Sequence, residues 1–459
     1  MNLIYIAWRN MMQRGLASFL TMISMGLGVA LVVIVLSISW IITESFDRNS
    51  NVGYNLIVGA KGGSLQLALN TVFYLSQPIE VIPYDEYLEF LPGADGRADE
   101  IKKIGGRISE PERRGLFSQF TSGGFAIPVC LGDYFGPFRV VGTKPIFFDK
   151  LKYGRTGDLN YEFAEGRNFY EYSEEHGYFE AVLGWQVAQE MNKSVGDTFK
   201  TTHGDPDGEG HGQEFTIVGI VAPTGTPNDR AAFINLEGFY LMENHSRVFE
   251  DAANPDSEKE DVARDEGLKQ PPRLPLHKRD LTAILVKAGQ PMFAVAMERP
   301  INKRLHTQAA SPVKEINDLL TLIVNPIRNA LLALTVVVCV VSAISILVSI
   351  YNSMNERRRD IAVMRALGAR RDVVLMVVML ESLLIAVGGG LMGWLAGHAI
   401  AAANSEFVED KTGIRITFLN SITYAESVLV PGLIVLAIIA GIIPALVAYR
   451  TNVSKHLAS

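Results

Sequence analysis

Residues 356–372, ERRRDIAVMRALGARRD, lie between two long apolar runs and carry six arginines against three carboxylates. Such a stretch fits neither lipid nor an ordinary core, so it reads as a short, basic, helix-prone loop on the cytoplasmic side of a membrane. The pattern also offers a handle to another protein. Ile361, Met364, Ala366 and Leu367 form an apolar stripe framed by arginines, and Gly368 suits a helix C-terminus.

Around this loop the apolar residues of the 459-residue chain gather into four blocks. Residues 15–43, 329–355 and 427–449 contain no Asp, Glu, Lys or Arg, and 373–405 is interrupted only by Glu381. Each exceeds the roughly 20 residues that a helix needs to cross a hydrocarbon core about 30 Å thick. The first block is too long for a secretion-signal core and is followed by no convincing small-residue cleavage site, so it reads as an uncleaved anchor. With Arg9 and Arg14 inside, the chain leaves through the first span and returns through the second, which brings the arginine-rich loop inside. The third and fourth spans then put 406–426 outside and the tail 450–459 inside. Cys130 falls in the external region and Cys339 in a span, so they cannot pair. The net charge of −7 comes mostly from the external part, which argues against nucleic-acid binding.

Residues 1–14 place Leu3, Ile6, Ala7 and Met11 near one helical face, with Tyr5 and Trp8 as interface anchors, and predict an amphipathic helix along the inner membrane surface. Residues 44–328 carry the strand and helix signals of a soluble α+β domain. Strands are predicted at 55–58, 138–141, 215–221 and 283–286, and helices at 84–91 and 186–191, with 65–75 apolar enough to pack on a sheet. From 246 to 280 the composition turns to charge and proline and predicts a mobile external loop. Regular structure resuming at Leu281 suggests two lobes, one made from both ends of the ectodomain and one inserted between them.

No GxxxxGK[ST] occurs, and the run from Gly59 to Ser64 lacks the spacing to cradle phosphates. No enzyme is expected in this chain, whose cytoplasmic face is one 17-residue loop and two short tails. The order of amphipathic start, span, large ectodomain and three further spans resembles the MacB/FtsX/LolC (type VII) class of ABC transporter permeases. So does the string 355–369, NERRRDIAVMRALGA, followed by Glu381 and a glycine-rich span. In the ectodomain, Glu165-Gly166-Arg167, Val182-Leu183-Gly184, Val195-Gly196-Asp197 and Phe215-Thr216-Ile217-Val218-Gly219 look like the signature of a MacB-type periplasmic core. The acidic, proline-bearing insert after Asn244 departs from that pattern.

The resemblance implies that the helix carrying Glu356, Arg357, Arg358, Arg359, Asp360, Ile361, Met364, Arg365, Leu367 and Gly368 docks on a separate ATPase subunit. The physical reading agrees, since an apolar ridge flanked by charge can be gripped and oriented. Arginines also enforce topology or meet anionic lipid, but those roles need no ridge. Glu381, inside the third span, is either near the inner interface or paired with a polar group on another span, as a gate contact or an interhelical hydrogen bond. Gly389, Gly393 and Gly397, with Gly26 and Gly28 in the first span, permit close helix approach within one subunit or between two. His203 and His211, in THGDPDGEGHGQE, could bind zinc, but their spacing matches no metal motif and HGDPDG reads equally as a hairpin tip, so no metal is expected. Thr224-Gly225-Thr226-Pro227-Asn228-Asp229-Arg230 reads as an ordered turn.

The resemblance implies a multi-pass protein of a bacterial cytoplasmic (inner) membrane, both termini inside, working as a homodimer or heterodimer of permeases. ATP and Mg would sit on the partner subunit, with no cofactor on this chain. Closure of the ATPases would be passed through the spans to the ectodomain, moving a lipophilic or peptidic cargo or a lipoprotein outward, with membrane lipid and a periplasmic or outer-membrane protein as further partners. The alternative is a non-transporting signalling subunit that activates or senses an envelope partner such as a cell-wall hydrolase.

Overall fold

The computed structural model describes residues 3–48, 52–242, 273–356 and 370–405, apart from isolated positions (14, 76, 79, 155, 205–207 and 209), and also Val435 and Ile442. Helices α1 (Leu3–Gln13) and α2 (Gly15–Arg48) come first. The soluble part follows with β1 (Leu56–Ala60), α3 (Ser64–Phe73), β2 (Ile82–Pro83), α4 (Asp85–Leu88) and α5 (Asp99–Lys103). Next are β3 (Phe125–Phe135), β4 (Phe138–Thr143), α6 (Ile146–Lys150), β5 (Lys152–Tyr153), β6 (Leu159–Asn160) and β7 (Phe163–Gly166). After β8 (Glu180–Leu183) come α7 (Trp185–Glu190), β9 (Thr198–His203), β10 (Gly210–Val221), β11 (Ala231–Asn235) and α8 (Leu236–Tyr240). Then β12 (Asp280–Leu281), β13 (Ala283–Lys287), α9 (Pro291–Asn302), β14 (Thr307–Ala310) and α10 (Pro312–Leu319) lead to the long helices α11 (Asn325–Glu356) and α12 (Arg371–Ala403). The chain divides into two compact units, 1–44 with 321–459, and 45–320.

Ten strands of the soluble unit form one sheet in the order β14-β1-β13-β3-β4-β11-β8-β10-β7, with β9 paired to β10 and β3. Every residue of β1, β4, β8 and β11 is buried, as expected of strands covered on both faces. The two-residue period of a strand sorts these side chains into two cores. Leu56, Val58, Ala181, Leu183, Ala232, Ile234, Ile284 and Val286 face one core with Tyr84, Leu88, Val187 and Met297. Ile57, Val182, Phe233 and Leu285 face the other with Leu67, Val72, Phe147 and Phe148. The sheet is thus the middle layer of an α/β/α sandwich. The two-lobe expectation gives way to one continuous sheet, because β13 pairs with β3 from Ala283↔Val129 to Lys287↔Phe125 and so joins the end strands to the inserted ones. The loop expected at 246–280 lies outside the described residues except from Arg273 onward.

Among the described residues three helices are long and apolar enough to cross a membrane, within Gly15–Glu44, Pro312–Val338 and Asp372–Ala403. The α+β unit is inserted between the first and second. The fourth run, 427–449, and the external segment 406–426 lie outside the described residues, as does the tail 450–459. The first helix outlasts its apolar run, continuing through Glu44 to Arg48. The second begins before residue 329, since α10 passes through a π-helical turn at Leu320–Val324 directly into α11. The apolar face read from residues 1–14 is present in α1, but it turns toward protein. Ala7 and Met11 are buried, and Met11 clusters with Val374 and Val378 of α12, while Tyr5 and Trp8 stay exposed.

Candidate functional site

Small residues set the packing of the membrane unit. A Cβ placed on Gly26 would stand 3.1 Å from the Gly389 carbonyl oxygen, and one on Gly389 would stand 2.8 Å from that of Met22. A Cβ on Gly393 would collide with the carbonyl of Gly26, and one on Gly397 would lie 2.8 Å from Cβ of Val33. The glycine row of α12 therefore lies backbone against backbone on α2 of the same chain, one of the two arrangements open in sequence. Gly28 is also buried.

Glu381 is buried within this unit, one residue before Ser382, whose hydroxyl donates to the Met379 carbonyl at 2.9 Å. Nine residues past Asp372, it stands about 14 Å along the helix at 1.5 Å per residue. His398 is wholly buried with its ring edge-on to Trp394 at 4.8 Å. Sequence reasoning passed over His398; its signal was one imidazole in the otherwise apolar GWLAGHAIAAA. Glu381 and His398 are about 25 Å apart along one helix, so the two do not form one site.

The stretch expected to dock an ATPase lies between two described helices. Helix α11 ends at Glu356, and α12 starts at Arg371 with Asp372 in its first turn, where a carboxylate meets the positive end of the helix dipole. Arg357, Arg358, Arg359, Asp360, Ile361, Met364, Arg365, Leu367 and Gly368 lie outside the described residues.

Among the described residues of the ectodomain, three polar clusters centre on the buried carboxylates of Glu237, Glu100 and Glu180. Arg279 donates both terminal nitrogens to the Glu237 carboxylate at 2.7 Å and its Nε to the Leu274 carbonyl, with the Tyr84 and Tyr240 rings over its guanidinium. Burial disfavours that charge, yet the Glu237 hydrogen bonds outweigh it and raise the Arg279 pKa. Beside it the Cys130 thiol lies 3.6 Å from the Tyr240 hydroxyl, and burial pushes it up to about 12. In the second cluster, Lys144 and the Tyr84 hydroxyl donate to Glu100 at 2.6 and 2.8 Å. Burial acts to raise the Glu100 pKa, but Lys144 with these hydrogen bonds holds it below the ordinary carboxylate value. In the third, Arg167 grips Glu180 at 2.7 and 2.9 Å, and the Tyr170 amide donates to the same carboxylate. Against the cost of burial, these contacts also leave Glu180 below its ordinary pKa.

The turn read from residues 224–230 is closed by Asp229, which accepts from the amides of Thr224 and Gly225 and from the Thr224 hydroxyl. Burial outweighs these bonds and raises the Asp229 pKa. Asn228 bridges two tyrosines, donating to Tyr161 at 2.5 Å and accepting from Tyr74 at 2.7 Å. They line a cavity of about 20 Å³ with Tyr54 and Tyr153, room for one water. His203 is exposed on β9, 3.4 Å from the buried carboxylate of Asp133. Among the described residues no three His, Cys, Asp or Glu side chains gather to hold a metal, and the His211 side chain is outside that set.

Residues 332–453 match the family description "FtsX-like permease C-terminal", and residues 18–269 match "MacB-like periplasmic core domain". An uncharacterized ABC transporter permease of Methanocaldococcus jannaschii is 23% identical over 300 residues, 62% of each chain. The chain thus spans about 62% of the length of that curated relative.

Proposed function

From the premise that this chain belongs to the ABC transporter permeases with an FtsX-like C-terminal part and a MacB-like periplasmic core, we propose that it is a mechanical transmitter. ATP hydrolysis on a separate subunit moves the membrane helices. The helices move the ectodomain, and the ectodomain drives a lipophilic or peptidic cargo or a lipoprotein outward from the far side of the cytoplasmic membrane.

The observation that carries this reading is that one chain matches a MacB-like periplasmic core over residues 18–269 and an FtsX-like permease C-terminal part over residues 332–453. The close glycine contact of α2 with α12 supports joint movement of those spans. Exposed apolar side chains on α11, among them Leu334, Val337, Val341 and Ile344, leave surface for lipid and a second permease copy.

The test is co-purification of the full chain in detergent with candidate ATPase subunits, comparing wild type with Met364→Glu/Leu367→Glu. The reading expects wild type to retain an ATPase and the variant to lose it while eluting at the same size. If wild type retains none, the energy supply is wrong and the ectodomain is better studied as a receptor.

A further inference from the structure

The ectodomain cavity that Asn228 lines is built in part from the end of α3. Tyr54, Thr71, Phe147 and Tyr161 are its buried lining, while Tyr74 and Tyr153 stand half-buried at its rim. A helical threonine ordinarily turns its hydroxyl to the carbonyl three or four residues back. Thr71 does not: it is 4% exposed, it lines the cavity, and its Oγ1 has no hydrogen-bond partner among the described residues. A buried hydroxyl without a partner carries a desolvation cost that a bound polar group relieves. Tyr74 caps α3 at φ 57°, a left-handed position where glycine ordinarily stands. A bulky side chain is strained there, and what tyrosine supplies in return is a hydroxyl that donates to Asn228 Oδ1 at 2.7 Å.

The chemistry of the lining selects the ligand. Hydroxyl and amide groups and aromatic rings surround the cavity, and no charged side chain is among the described residues that line it. Asp229, next to Asn228 in the turn, accepts hydrogen bonds on both oxygens, as an ionised carboxylate does. Burial raises the Tyr153 pKa and the Asp229 charge raises it further, which places the rim in a negative field. A cation is favoured in that field, and tyrosine rings add to the attraction where it meets their faces. Size narrows the choice, since about 20 Å³ admits a group the size of one water, an –NH3+ but not a trimethylammonium. A primary ammonium has three donors and no acceptor, the complement of the Thr71, Tyr54 and Tyr161 oxygens. We propose that this cavity binds a primary alkylammonium group, carried by a lysine side chain of a peptide or by an amine lipid headgroup.

Binding here needs no ATPase, so its test stands apart from the transmission reading. In the experiment, n-butylammonium chloride is titrated calorimetrically into the full chain in an uncharged detergent, with 1-butanol and butyltrimethylammonium as comparisons. Wild type should bind n-butylammonium saturably and the other two at least about tenfold more weakly, a comparison that depends on no variant. Thr71→Val/Tyr54→Phe removes both hydroxyls and keeps the shape of both side chains, and it should weaken n-butylammonium binding about tenfold or more at an unchanged melting temperature. If the double variant melts early, Tyr54→Phe alone serves, with the same direction expected. Competition then separates the sources. Displacement of the probe by Nα-acetyl-lysine amide and not by dihexanoyl phosphatidylethanolamine assigns a peptide, and the reverse assigns a lipid. No saturable binding, equal binding of butanol or butyltrimethylammonium, or a folded variant that binds as tightly as wild type overturns the site.

Discussion

Arg279 is the largest of the fully buried side chains, and its charge is tolerable only because Glu237 and the Leu274 carbonyl take up its donors. Arg279→Met leaves the Glu237 carboxylate buried without its partner, which costs about 3–5 kcal/mol. The full chain should unfold at a clearly lower temperature, and adding Glu237→Leu to the variant should recover part of the loss. A double variant no more stable than Arg279→Met would show that packing, not the stranded charge, sets the cost. Glu100 and Glu180 predict a pH dependence. Both carboxyls titrate below their ordinary value in the fold, so the stability they contribute is complete above the unfolded pKa of about 4.3 and is lost as pH falls through the lower folded value. Arg167→Met removes the main partner of Glu180. Melting curves between pH 7 and pH 3 should therefore show the variant already weakened at pH 7 and falling less steeply on the acid side. Parallel acid limbs would mean that Arg167 does not set the titration of Glu180. None of these pairings was legible in sequence, because Glu237 and Arg279 are 42 residues apart and only the meeting of α8 with the approach to β12 joins them.

At the scale of elements, the three apolar helices among the described residues were legible because a helix able to cross a membrane advertises itself by length and lack of charge. The strands at Phe138, Phe215 and Ala283 were legible for the same kind of reason, as compact runs of β-branched and aromatic residues bounded by glycine. Their pairing was not, since β4–β11 and β8–β10 are parallel neighbours set by contacts distant in sequence. The glycine row was visible as spacing, but its partner helix appeared only in three dimensions. That contact predicts a contrast between neighbouring glycines. A methyl on Gly388 meets the Met22 methyl, the far end of a flexible side chain, whereas one on Gly393 meets the Gly26 backbone. Gly388→Ala should leave thermal stability in detergent nearly unchanged, and Gly393→Ala should cost about 1–3 kcal/mol as α2 and α12 are forced apart. Equal effects would deny the close approach.

For the whole molecule, the arginine-rich loop is the sequence feature from which orientation is expected, and in chain order the α+β unit lies between the first two apolar helices. What sequence could not supply is how a 276-residue unit coheres, which depends on one sheet uniting strands from both of its ends. Orientation can be tested with a membrane-impermeant maleimide on intact spheroplasts. Cys130 gives little background, because it is buried and its thiol, pushed up to about 12, is almost wholly protonated near pH 7. Leu116 is 61% exposed in the ectodomain, so Leu116→Cys should label without permeabilisation. Ser459→Cys, in the tail assigned to the cytoplasm, should label only after the membrane is opened. The reverse pattern would invert the topology and with it the assignment of the 356–372 loop to the ATPase side. Labelling of both in intact cells would put the tail outside, which requires an odd number of crossings and removes the fourth span.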